Sequence, residues 1–268
     1  MQTFHAFEHE RWQQAADGYD RYWQMLVTQT IAPLLDAAGV DNYTELLDMA
    51  CGPGYAAGMA ARRGAAVTGI DFSSAMIGKA GALFPQVRFH IGDAQALPFA
   101  DSAFDAATIN FGMLHFEKPE AALSEAYRVL RGGGKIAYTV WAEPQQCEGF
   151  AIVYSAIKEY GTFDVALPPG PPFFRFSDQA ESIRALRDAG FIETKRKRLA
   201  LKWKFNSAED FLAAFYSGTA RTGPLLRAQA PERLAGIHNA IFRSLTDHAG
   251  DKGLQIPMTA VLYQATKP

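Results

Sequence analysis

The stretch LLDMACGPGYAAG, Leu46 to Gly58, decides the fold class. An apolar run ends in Asp48, and Gly52 and Gly54 follow at once. Glycines between a buried strand and a helix allow a sharp turn and a close backbone approach to a ligand. ELLDMA before the turn reads as a strand. YAAGMAARRG after it reads as a helix ending on two arginines and Gly64, the charge and cap that a helix C-terminus favours. The alternation continues outward. AAVTGID is a second strand, and Ser73 or Ser74 caps a helix that must stop before Pro85. VRFHIGD, FDAATINF and KIAYTVW are the third, fourth and fifth strands. Before the fifth, EKPEAALSEAYRVLRGGG is a helix with Pro119 near its start and Gly132 past its end. Such alternation predicts right-handed crossovers and a parallel sheet with helices on both faces.

Strand composition ranks the strands by position. The first, fourth and fifth are nearly all apolar, as central strands are. The third alternates Val87, Phe89 and Ile91 with Arg88 and His90, and KRKRLALKWKF alternates with many cations. Both suit sheet edges, where lysine and arginine discourage strand addition. Residues up to about Gly39 read as helical, with Trp12, Ala15, Ala16, Tyr19, Tyr22 and Trp23 in an apolar stripe. Glu143 to Phe176 reads as a proline-rich aromatic loop around LPPGPPFFRF. DQAESIRALRDAGF is a helix ending at Gly190. Ser207 to about His248 reads as two or three helices capped by Ser207, and IPMTAVLYQATK is a final strand. With no clean linker, the expectation is a single domain over 1–268. Its parts are an N-terminal helical cap (1–40), a cofactor-binding core (41–142) and a substrate-side cap (143–268), with helices 207–250 inserted before the final strand.

Composition narrows the function classes. A chain of 268 residues that is 49% hydrophobic can bury a large core. A formal net charge of -2 gives no electrostatic footprint for nucleic acid. Two cysteines, Cys51 and Cys147, cannot build a disulfide framework, and this fits a cytoplasmic location. The start MQTFHAFEHERW lacks a secretory apolar region, and no apolar run reaches membrane-span length. The two cysteines show no C-x-x-C spacing, and no metal is expected. No nucleophile elbow or P-loop occurs.

Three readings compete for the glycine turn. It is a structural turn alone, a dinucleotide site, or a site for S-adenosylmethionine. Gly52, Gly54 and Ala57 satisfy G-x-G-x-x-A, and Asp71 ends the next strand where a ribose carboxylate is expected. Asp48 separates the last two readings. A pyrophosphate over the turn would meet another anion, whereas the ammonium and sulfonium of S-adenosylmethionine favour a carboxylate nearby. Against this, an aspartate here can simply bond turn amides.

LLDMACGPG, VTGIDFSSAMIGKA, VRFHIGDAQALPFADSAFD and EAYRVLRGGGKIAYTVW stand in one order over Asp48 to Trp141. In that order and spacing they resemble the class I S-adenosylmethionine-dependent methyltransferases, in the group of ubiquinone/menaquinone-biosynthesis-type domains. The resemblance covers roughly a third of the chain, and FEHERWQQAADGYDRYW resembles the helix these enzymes often fold over the cofactor. It implies a Rossmann-like sheet of seven strands, mostly parallel, with the last antiparallel. It implies that Asp71 bonds the ribose diol, Phe72 lies against adenine, Asp93 accepts from the adenine amino group and the Ala94 amide donates to the ring. Gly52 and Gly54 would permit backbone approach, with Ala50 and Asp48 beside them. Asn110 and Phe111 would face the methionine moiety, Tyr19 would close the site, and Met76 would pack on its helix within this set. Cys51 fills a small-residue slot, and Pro53 replaces the commoner Thr or Ser.

His115, after the fourth strand in NFGMLHF, stands where a base could reach an acceptor. KRKR at Lys195 to Arg198 could bind an anion, but a solvated edge explains it as well. The expected activity is methyl transfer to a small, aromatic or apolar molecule, not to nucleic acid and not at a membrane. A nicotinamide-dependent oxidoreductase and a cofactor-binding pseudoenzyme are the alternatives. Oligomeric state and the acceptor atom are not legible here.

Overall fold

Among residues 2–251 and 253–268, which the computed structural model describes, eight strands join one sheet. They are β1 (Glu45–Met49), β2 (Ala66–Asp71), β3 (Arg88–Ile91), β4 (Phe104–Asn110), β5 (Leu130–Trp141), β6 (Ile192–Phe205), β7 (Ala249–Gly250) and β8 (Gly253–Thr266). The order across the sheet is β3–β2–β1–β4–β5–β8–β6, with the short β7 paired to β8 beside that path. β1 pairs in parallel with both β2 and β4, β2 with β3, and β4 with β5. β8 runs antiparallel to β5, Tyr138 opposite Tyr263. This is the expected α/β architecture with its last strand reversed. The strand order turns back at β1, so the crevice past the C-terminal ends of β1 and β4 is the switch point where such sheets bind ligands.

The edges fall where composition places them, at β3 and β6. Ser73 is the cap of the helix Ser74–Leu83, accepting from the Met76 amide, and Ser207 caps Ala208–Gly218 by accepting from the Asp210 amide. The N-terminal stretch is helical as expected, in successive pieces: Phe4–Tyr22, Gln24–Val27, a 3-10 turn Thr28–Thr30, and Ile31–Ala37. Pro33 lacks an amide hydrogen and fits only the first turn of a restarted helix. Two expectations need correction. The glycines after Val129 belong to β5, not to a helix end. Leu130 pairs with Phe104, the register shifts before Ala106, and Gly133 and Gly134 exchange bonds with Lys267, so tertiary pairing draws the glycines into the sheet. The span 143–176 is not all loop: Glu148–Tyr160 is a helix that buries Phe150, Val153, Ala156 and Ile157 at helical spacing.

The chain gathers into two compact units interleaved along the sequence. One takes Met1–Leu26, Ala142–Pro169 and Ala200–Thr259; the other takes Val27–Trp141, Gly170–Leu199 and Ala260–Pro268. The first is mainly helical. Its helix Phe4–Tyr22 packs on Ala208–Gly218 at Gly18, where a Cβ would run into the Ser217 carbonyl. Trp23 and Trp203 lie 4.2 Å apart, and their indoles donate to the Ala214 carbonyl at 3.0 Å and the Tyr22 carbonyl at 2.9 Å. Phe150, Phe211 and Phe215 enclose them, all buried. The second unit holds β1 to β5 with their helices, and it carries the glycine turn.

Candidate functional site

The parallel strands share one direction, so their C-terminal ends form one edge of the second unit. Asp48, Ala50 to Gly54, Asp71 and Phe72, Asp93 and Ala94, and Asn110 and Phe111 stand at or just past those ends.

The turn is left-handed at Ala50 (φ 51°), Gly52 (φ 52°) and Gly54 (φ 79°). Ala50 tolerates this beside a glycine, Gly112, where a Cβ would sit 2.8 Å from the Ala50 Cβ. Gly54 begins the helix Tyr55–Arg62, and a Cβ there would lie 2.8 Å from the Phe89 ring and 3.0 Å from Ala80. A Cβ at Gly52 would meet nothing within 4 Å. Gly54 is therefore glycine for packing as well as for backbone, while Gly52 borders open space. The Cys51 amide donates to the Ile70 carbonyl at 3.0 Å, and burial holds the Cys51 thiol well above its usual range, so it stays protonated.

Asp71 joins turn and strand. One oxygen accepts from the Gly52 amide and the other from the Ser73 amide, both at 2.9 Å. A carboxylate oxygen can accept more than one hydrogen bond. Asp48 is 1% exposed, with one oxygen on the Thr108 hydroxyl at 2.8 Å and the other on the Ala57 amide at 3.1 Å. Burial pushes its pKa up to about 7, against the lowering pull of Thr108 and Ala57 and with a further push from Asp71. Its reach toward a ligand is thus the field of its charge, not an exposed acceptor.

Past β3, Asp93 accepts from the Gln95 amide at 2.8 Å and from the Gln95 side chain at 3.0 Å. Ala94 is buried, Phe72 is half-buried, and Met76 is buried in the first turn of its helix. At the end of β4, the Asn110 side-chain carbonyl accepts from Thr139 at 2.6 Å and from Thr30 at 2.8 Å. Phe111 has φ 60° and stacks on Trp141 at 4.0 Å with 21° between planes. The Phe111 amide donates to the Thr139 carbonyl and hydroxyl, each at 3.1 Å, which holds the strained backbone. His115 ends the 3-10 turn Met113–His115, half-buried, its ring edge-on to Phe173 at 6.2 Å. Tyr19 belongs to the other unit, half-buried and edge-on to Trp12 at 5.3 Å.

Thr108, Thr139, Thr30, Gln95 and Trp141 escaped the sequence reading. Two of them left a signal: Thr108 and Thr139 interrupt otherwise apolar central strands, and both are fully buried. Such a threonine must have a partner. Among the described residues no three His, Cys, Asp or Glu side chains come together as a metal set, and no helix is long and apolar enough to cross a membrane.

The family described as a methyltransferase domain matches residues 47–138. A demethylmenaquinone methyltransferase of Renibacterium salmoninarum is 38% identical over 127 residues, covering 47% of this chain and 51% of that protein. A ubiquinone/menaquinone biosynthesis C-methyltransferase of Roseobacter denitrificans is 29% identical over 201 residues, covering 69% of this chain and 78% of that protein. The chain spans about half the length of the first curated relatives it matches. A crystal structure of a SAM-dependent methyltransferase from Thermotoga maritima superposes with a TM-score of 0.56 at 18% identity, over 97% of this chain and all of that one, a likeness of fold.

Proposed function

We propose that this chain, which carries a methyltransferase domain over residues 47–138, binds S-adenosylmethionine at the β1 turn and methylates a small, aromatic or otherwise apolar molecule. One observation carries the reading: the Asp71 carboxylate, fixed by two backbone amides, stands next to Gly52, whose missing Cβ leaves open space at the strand tips. The donor set fits the cofactor. Asp71 offers two acceptors to a diol, Asp93 an acceptor to an amino group and Ala94 a backbone donor to a ring. Asp48 supplies negative charge for the cationic end. Phe72, Met76, Ala50, Gly54, Asn110 and Phe111 complete the proposed cofactor set. Tyr19 joins it on the resemblance of its helix alone.

S-adenosylmethionine, held there, would supply a methyl group on a positively charged sulfur, to be transferred to the acceptor nucleophile while the sulfur keeps the electron pair of the broken bond. The chain has no covalent step to perform. Its residues orient the two partners and exclude water, which is where such a reaction gains most. His115 is the group proposed to take a proton from an acceptor that carries one. The names of the curated relatives support a ring-bearing, quinone-like acceptor, and the half-buried aromatic rings of His115 and Phe173 agree with one. Two buried, unpaired cysteines support a cytoplasmic location.

Calorimetry tests the cofactor. S-adenosylmethionine and its demethylated product should bind and NAD should not. Asp71→Ala should weaken binding at least about tenfold, because charge-assisted bonds are worth about 1.5–3 kcal/mol each. Unchanged affinity in that variant removes Asp71 from the site, and tight NAD binding replaces the reading with the oxidoreductase one. Mass spectrometry of candidate quinone-type acceptors after incubation then shows whether a methyl group is added.

A further inference from the structure

The helix Pro119–Val129 holds the loop after β3 at both ends. At its N-terminus the Lys118 amide donates to the Gln95 side-chain carbonyl at 2.6 Å, while the Gln95 side-chain amide donates to Asp93 at 3.0 Å. At its C-terminal half, Arg128 and Glu125 form a two-point pair, Nε to one oxygen and an NH2 group to the other, each at 2.8 Å. That pair grips backbone as well as charge. Glu125 accepts from the Leu97 amide at 2.6 Å, and Arg128 donates to the Leu97 carbonyl at 3.1 Å and the Phe99 carbonyl at 2.7 Å. Arg128 also reaches Asp101 at 2.8 Å. A planar guanidinium can hold a carboxylate and two carbonyls at once, and a lysine cannot. The Arg128 guanidinium holds the Glu125 carboxyl below the usual range, so the pair stays charged around neutral pH. Leu97 thus has both its amide and its carbonyl bound by one ion pair, an expense of donors that a freely solvated loop would not need.

Resting on the cofactor reading above, we propose that Arg128, Glu125 and Gln95 are positioning residues for base recognition: they hold Asp93 and Ala94 at the setting that distinguishes adenine from other purines. The carboxylate that would accept from the adenine amino group is oriented by Gln95, and the backbone four to six residues beyond it is clamped by Arg128 and Glu125. Base discrimination needs this because an acceptor free to swing loses its preference for an amino group over a carbonyl.

The test compares S-adenosylhomocysteine with S-inosylhomocysteine, whose base has a carbonyl where adenine has its amino group. Wild-type protein should prefer the adenine form by about tenfold or more, the worth of one charge-assisted bond. In Arg128→Gln and in Gln95→Met the ratio should fall about threefold or more, mostly through weaker binding of the adenine form. Arg128→Lys should fall between wild type and Arg128→Gln. Melting temperatures identify any variant that fails to fold, and Gln95→Met, which leaves the ion pair in place, then carries the test. A ratio unchanged in the folded variants, or both ligands weakened equally, overturns the proposal. Wild-type protein that binds neither nucleoside overturns the cofactor reading itself, a distinguishable result.

Discussion

At the scale of single residues, Asp48 makes the site sensitive to pH. Its carboxyl, buried and pushed up to about 7 from an ordinary value of 3.8, is protonated in the folded chain over a range where the unfolded chain has lost that proton. The folded value is raised, so the group favours folding fully below about pH 4, and that contribution is lost as pH rises through about 7, at up to ~1.4 kcal/mol per unit. Asp48→Asn keeps an oxygen for the Ala57 amide and should flatten this slope, read by urea denaturation at pH 5 and pH 8. A cationic ligand favours the ionised form, so cofactor binding should release a proton near neutral pH and tighten as pH rises. Calorimetry in buffers of different ionisation enthalpy measures that proton, and the release should vanish in Asp48→Asn. His115 is tested separately. His115→Ala should lower turnover about tenfold or more while cofactor affinity holds, since general-base help is typically worth about 10²–10⁴. Full turnover in this variant removes it from the mechanism.

At the scale of elements, the turn after β1 separates two uses of glycine. Gly54→Ala puts a Cβ against Phe89 and Ala80 at φ 79°, so strain and collision add, and stability should drop on the order of 2 kcal/mol. Gly52→Ala meets no neighbour within 4 Å. It should cost about 1 kcal/mol for the backbone alone and act chiefly on the ligand, weakening cofactor binding more than Gly54→Ala does at a temperature where both are folded. Thermal melts and calorimetry on the pair check this; equal ligand effects would remove the distinction. The two glycines were legible together in the sequence because a strand–turn–helix junction demands them, but not their difference, which depends on Phe89 arriving from β3. The same holds elsewhere. Central and edge strands were legible from which residues they could expose to water. The glycine run before Lys135 was misread because its pairing with Lys267 joins residues more than 130 positions apart. The helix Glu148–Tyr160 was masked by the prolines that follow it, although Phe150, Val153 and Ile157 carry a helical period. At the site, the acids at strand ends were legible. Their hydroxyl partners were not, since a lone threonine does not reveal which strand it faces.

At the scale of the whole molecule, the chain builds two kinds of core. The unit with the parallel sheet carries every proposed cofactor residue except Tyr19, together with His115. The helical unit buries an aromatic cluster of its own, built on Trp203, which is 1% exposed and ringed by Trp23, Phe205, Phe211 and Phe215. Among the aromatic residues of the N-terminal and late segments, Trp23, Phe211 and Phe215 are buried, while Trp12, Tyr19, Tyr22, Phe173, Phe174 and Tyr216 are half-buried. The buried three serve stability. Trp203→Ala should therefore destabilise the protein by about 3–5 kcal/mol, the usual effect of emptying a large core site, with an added loss where the Tyr22 carbonyl gives up its indole partner. Because every proposed cofactor residue except Tyr19 lies in the sheet unit, cofactor affinity measured well below the melting temperature should stay within about twofold, while turnover on the acceptor falls further. Loss of cofactor binding in step with turnover would show that the two cores do not act separately. Tyr216→Ala, at a half-buried ring, provides the contrast: a small change in melting temperature with a change in acceptor KM if the helical unit reads the acceptor, and no change in KM if it does not.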